Sequence, residues 1–162
     1  MVVNFNQVRG GHFRKQVGKE FEQRFEAYCS HAQDVSLIRI NDGAKQVAPN
    51  KFIRLSQPFD WLLFVKEHAI FMDTKTCLGN QYPLNEKSFL NQFHNFEIID
   101  KHKFITGYLV EFREAGEYRW YNFAKLKEIY SRRKSLVPND GLLLGETFPM
   151  NIDFQKITHI PE

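Results

Sequence analysis

The sequence predicts an α/β or α+β sandwich, a central mixed β-sheet flanked by helices. Three observations carry that expectation. Phe21, Phe25 and Cys29 recur at i, i+4 and i+8, the spacing of one helix face. Residues 59–65 and 104–112 are nearly all apolar, as strands buried on both faces are. Helical and strand patterns also alternate along the chain. With 162 residues, the length suits one domain. Phe, Tyr and Trp make up 15% of the chain, far too many for a disordered one, so a packed core is expected.

The elements follow in order. Residues 18–32 form the first helix. Residues 35–40 alternate as a strand does, and Asn41-Asp-Gly43 is a turn signal. Residues 45–50 read as a loop, and Pro58 breaks the chain before the next strand. Residues 59–65 and 69–76, joined by the polar turn Lys66-Glu-His68, make a tight hairpin. Asn85 is placed to cap a helix over residues 86–99, with Phe89, Phe93 and Phe96 on its buried face. Residues 104–112 form a central strand, and aromatic-rich residues 117–123 lie beside it. A helix over residues 124–133 follows. Beyond Ser135, Pro138, Gly141, Gly145, Pro149 and Pro161 suggest loops and one short strand. The domain therefore divides into an N-terminal arm of about residues 1–17, a core of 18–134 and an irregular segment, 135–162.

Composition excludes several classes. No stretch approaches the ~18 apolar residues of a membrane span. The first residues do not read as a secretory signal. Cys29 and Cys77 lie far apart without a CxxC or zinc-ligand spacing, so a reducing cytoplasm is the default compartment. No Walker loop, GxGxxG or HExxH occurs.

The formal charge of +3 is unevenly spread. Residues 1–19 carry Arg9, Arg14, Lys15, Lys19 and His12 and no acid. Residues 124–134 carry Lys125, Lys127, Arg132, Arg133 and Lys134 against Glu128 alone. Such runs either form a solvated face or attract a phosphate backbone.

The most informative residues are charges set inside apolar strands. Asp60 opens Asp60-Trp-Leu-Leu-Phe-Val65, while Asp73 and Lys75 interrupt Ile70-Phe-Met-Asp-Thr-Lys75. A buried carboxylate costs several kcal/mol unless it is paired or metal-bound. Residues two apart share a strand face, so Asp73 and Lys75 point the same way. The hairpin brings Asp60 near Asp73, opposite its turn. Two acids there repel unless a cation lies between them, and hard oxygen ligands favour Mg²⁺ or Mn²⁺. A neighbouring lysine can deprotonate water or stabilise charge on a phosphorane. His94 and His102 lack a second ligand at useful spacing and read as surface histidines.

Gln57-Pro-Phe-Asp60, followed by Asp73-Thr-Lys75, resembles the PD-(D/E)xK nuclease signature. Gly18-Lys-Glu-Phe-Glu22, Leu55 to Asp60, Tyr82-Pro-Leu84, Gln92, Tyr108-Leu-Val-Glu-Phe112 and Tyr118 resemble the pattern of RecU-type Holliday junction resolvases. The resemblance spans residues 18–125 and implies a restriction-endonuclease-like sheet. It implies a Mg²⁺- or Mn²⁺-dependent DNA endonuclease in which Asp60, Asp73 and the Thr74 carbonyl bind metal. Lys75 would act on the water, Glu22 would hold that water or a second cation, and Gln92 would position water or Lys75. A homodimer is implied, since two strands of a junction need two sites. Branched or duplex DNA would meet the basic segments, in a bacterial or phage-infected cell. The alternatives are a restriction- or repair-type nuclease of the same superfamily, or a DNA-binding module that has lost catalysis.

Overall fold

The computed structural model describes residues 11–40, 43–49, 51–55 and 59–159. Helix α1 (Gly11–His31) is followed by strands β1 (Val35–Arg39), β2 (Gly43–Ala48), β3 (Lys51–Leu55), β4 (Trp61–Val65), β5 (His68–Cys77) and β6 (Tyr82–Pro83). Helix α2 (Glu86–Asp100) leads to β7 (Ile105–Phe112) and β8 (Glu117–Asn122), then α3 (Phe123–Arg132) and β9 (Ser135–Leu136). Strands β10 (Leu142–Glu146) and β11 (Asn151–Ile152) and helix α4 (Gln155–Thr158) complete the described chain.

Seven strands form one mixed sheet in the order β1-β4-β5-β7-β8-β10-β11. Its neighbours are antiparallel except β5 and β7, which run parallel from Ile70 opposite Ile105 to Cys77 opposite Phe112. A parallel pair needs a crossover, and α2 supplies it. The apolar run at residues 105–112 thus becomes the middle strand, as expected. Helices cover both faces. On one, Phe21, Phe25 and Cys29 of α1 pack on Trp61, Leu63, Met72, Leu109 and Trp120. On the other, Phe89 and Phe96 of α2 and Phe123 and Leu126 of α3 pack on Tyr108, Val110, Phe112 and Tyr121. Asn85 caps α2 through Ser88, and Asn122 caps α3 through Lys125, each satisfying an orphan amide of a first turn.

Three sequence expectations need correction. Helix α1 begins at Gly11, so much of the N-terminal arm is its first turns. Phe13, Val17, Phe21, Phe25 and Cys29 hold one unbroken i, i+4 series, and Val17 is buried. Of the loop expected at residues 45–50, residues 45–48 are strand, in the hairpin of β2 with β3 paired from Gly43–Leu55 to Ala48–Lys51, and Asn50 lies outside the described residues. The segment from 135 is not irregular, since β10 pairs with β8 and β11 with β10. Its glycines are close-approach sites. A Cβ on Gly145 would lie 1.8 Å from the Asn151 carbonyl oxygen, and one on Gly141 2.6 Å from the Tyr121 ring. No helix among the described residues is long and apolar enough to cross a membrane.

Candidate active site

The β4–β5 pairing ends with Trp61 opposite Met72. One step further out, Asp60 meets Asp73. The Asp60 amide donates to Asp73 Oδ1 at 2.8 Å. Lys75 Nζ donates to Asp73 Oδ2 at 2.9 Å, and the Gln92 amide donates to the same oxygen. Tyr108, opposite Asp73 on β7, donates its hydroxyl to Gln92 Oε1. The Lys75 ammonium also lies 5.0 Å from the Tyr108 ring centroid, in cation–π range. Asp73 is fully buried, so three donors, one of them cationic, offset its desolvation.

Asp60 is held differently. Burial first, and then the charge of Asp73, push its carboxyl up to about 6. Lys75 and a hydrogen bond from the Thr74 amide act the other way, and Glu22 adds to the rise. Lys75 stays protonated: burial works against its charge, but Asp73, Tyr108, Tyr82 and Asp60 outweigh it and raise its pKa. The Thr74 hydroxyl accepts from the Trp61 indole at 3.1 Å, which ties β5 to β4 beside the site.

Glu22 is engaged elsewhere. Its carboxylate pairs with Arg39 of β1 at 2.6 Å, and its effect on Asp60 is through space. Asp60, Asp73, Thr74, Lys75 and Gln92 therefore converge, and Glu22 stands at the margin. Gln57 and Pro58 lie outside the described residues. Reading the sequence singled out neither Tyr82 nor Tyr108 for the site. Tyr108 was hidden by the apolar run around it, although it is a hydroxyl placed in a run that needs none, and Tyr82 by the loop-like sequence Gly79-Asn-Gln-Tyr-Pro83.

The basic segments are less open than their composition suggests. Arg9 lies outside the described residues, and Arg14 is on α1, while Lys15 and Lys19 are exposed there. At the other run, Glu128 holds Lys125 and Arg132, each at 3.0 Å. Arg133 pairs with Asp140. Lys127 lies 4.6 Å from the Phe123 ring centroid and Lys134 5.3 Å from that of Tyr130. His94 and His102 are exposed, as expected.

A second buried charge group lies on the α1 face. Glu111 is fully buried and accepts from Arg24, from Arg113 at 3.1 Å, from Thr76 at 2.9 Å and from Tyr118 at 3.4 Å. It joins α1 to the end of β7, which sets the helix bearing Glu22 against the sheet.

No protein-family model and no curated protein matches the chain. Among solved structures, the chain is similar to Archaeoglobus fulgidus Hjc, a Holliday junction resolvase from an archaeal hyperthermophile. The TM-score is 0.52 at 13% identity, over 78% of this chain and 95% of that one. The chain thus shares the α/β fold of that resolvase, a mixed sheet between helices.

Proposed function

We propose that the chain is a Mg²⁺- or Mn²⁺-dependent DNA endonuclease of the PD-(D/E)xK class, acting as a Holliday junction resolvase does. One observation carries the reading: a buried Asp73 holds Lys75 and Gln92 directly beside Asp60, on the fold that Hjc also has. The donor set fits a hard divalent cation. Asp60 ionises reluctantly because it is buried and because Asp73 faces it, and a cation between the two carboxylates would offset both effects. The Thr74 amide points at Asp60, and a strand residue's carbonyl lies along the same edge as its amide. Asp60, Asp73 and the Thr74 carbonyl would hold the cation, with Glu22 contributing through its charge. When bound, Mg²⁺ supplies Lewis-acid stabilisation of the charge that develops on the phosphate.

The chain's own groups do the rest. Lys75 keeps its charge and stabilises the phosphorane or orients the attacking water. Gln92 holds the Asp73 carboxylate in place beside Asp60 and Lys75. Lys15 and Lys19 on α1, with Arg9 and Arg14 of the same segment, would meet the DNA backbone. Lys125, Arg132 and Arg133 would do so after exchanging acidic partners for phosphates, and Lys127 and Lys134 from their places over the Phe123 and Tyr130 rings. A homodimer would place two sites on two symmetry-related strands.

The test uses supercoiled plasmid and labelled four-way junction, duplex and flapped DNA, with Mg²⁺ or Mn²⁺ against chelator. Metal-dependent nicking by the wild type, lost in Lys75→Ala, is the expected result. Symmetric cutting of the junction in preference to duplex supports the resolvase reading. Equal cutting of duplex by a monomer rejects that part and leaves a general nuclease. Binding without cutting under every metal condition rejects the enzyme.

A further inference from the structure

We infer that Tyr108 is a positioning residue for the Asp73–Lys75 centre, acting through the side-chain amide of Gln92. The inference rests on the nuclease reading and deepens it.

The direction of every proton in this chain of groups follows from chemistry. Asp73 beside a protonated Lys75 is an acceptor only, so the Gln92 atom that faces it must be the NH₂. The opposite end of the amide is then Oε1, and whatever touches it must donate. Tyr108 does so. Burial raises its pKa, which keeps the hydroxyl protonated. Without that donor the amide loses the contact that distinguishes its two ends, and a flipped Gln92 would set a carbonyl against a carboxylate.

The ring is fixed by the helix that carries the amide. Phe89, Gln92 and Phe96 lie three and four residues apart on α2, along one face. The rings of Phe89 and Phe96 meet Tyr108 edge-on, with centroids 6.3 and 5.8 Å away. The same stripe thus packs two rings edge-on against the phenol and presents Gln92 to its hydroxyl. Tyr108 is only 2% exposed, so it cannot touch DNA and must act through its neighbours. Its ring also backs the Lys75 ammonium, so one side chain supports both donors that converge on Asp73 Oδ2.

Tyr108→Phe removes the hydroxyl and keeps the ring, both Phe contacts and the cation–π contact. The expected result is a retained fold with a melting transition lowered by no more than a few degrees and an unchanged KM, with kcat lowered about tenfold, the scale of one lost positioning hydrogen bond. Gln92→Ala and the double variant complete the cycle: Tyr108→Phe should cost nothing further once Gln92 is gone. A readout independent of turnover is the side-chain NH₂ resonance of Gln92. It should exchange slowly in the wild type and faster in Tyr108→Phe. Multiplying losses in the double variant, or unaltered Gln92 exchange, overturns the inference. An inactive wild type is a different failure, which rejects the nuclease reading, and the Gln92 resonance still decides whether Tyr108 holds the amide.

Discussion

The backbone amide of Asp60 donates to the side chain of Asp73, so the second acid of the pair is anchored by the main chain of the first. The side chain of Asp73 is therefore part of the frame that ties β5 to the start of β4. Asp73→Ala would leave the Lys75 ammonium buried without its partner, and breaking such a pair costs about 3–5 kcal/mol. Urea unfolding should show that loss as a lower midpoint at constant slope. Lys75→Ala should destabilise less, because Gln92 and the Asp60 amide still serve Asp73. It is the cleaner variant for a test of cutting.

Asp60 predicts a pH dependence in the metal-free protein. Its folded pKa, about 6, lies above the ordinary carboxyl value of 3.8. The folded state then binds more protons between those values, so stability falls as pH rises through that window. Asp60→Asn, measured in chelator, should gain little at pH 4 and gain most above pH 6. Thermal melts at pH 4, 5, 6 and 8 check this, and a constant difference between the two proteins would contradict it.

The Glu111 cluster should behave as a fastening for α1. Arg24→Met leaves a fully buried carboxylate with Arg113 as its remaining cation, and about 2 kcal/mol should be lost. Because Arg24 lies away from Asp73, metal-dependent nicking at low temperature should persist in this variant. Chemical denaturation paired with a plasmid assay separates the two effects.

Glu128 should restrain DNA binding. It occupies Lys125 and Arg132, and the hydrogen bond from Lys125 is the main reason its own pKa is lowered. Glu128→Gln should free both cations, tighten duplex binding at low salt and steepen the salt dependence by about one phosphate contact. Fluorescence anisotropy over a salt series reads this. An unchanged slope would place the DNA on another face.

Gly145→Ala should disrupt the β10–β11 pairing, since its Cβ would collide with the Asn151 carbonyl. Amide hydrogen exchange at residues 142–152 should rise while that of β5 and β7 stays slow.

The parts of this molecule that were legible in its sequence are those with buried, periodic side chains. Phe21, Phe25 and Cys29 announced α1, and the run ending at Phe112 announced the middle strand. The β2–β3 hairpin was missed because Gly43-Ala-Lys-Gln-Val-Ala48 shows no strong apolar alternation. The C-terminal strands were missed because Gly141 and Gly145 read as breakers, whereas tertiary approach of Tyr121 and Asn151 requires them. At the site, Asp60, Asp73 and Lys75 stood out as charges in apolar strands. The pairing of Glu22 with Arg39 was not legible, since it depends on how α1 lies across β1. Nor was the hold of Tyr108 on Gln92, which joins residues on two different elements.

The Ile40 amide donates to the Asp60 carbonyl at 2.9 Å, and β1 pairs with β4 from Val35–Val65 up to Arg39–Trp61. Everything between residues 40 and 60, including β2 and β3, is thus a closed loop whose neck is also the doorstep of the acids. Doubling such a loop adds only about 0.6 kcal/mol of closure entropy. The appendage is free to lengthen, shorten or be exchanged while the neck keeps Asp60 in register with Asp73.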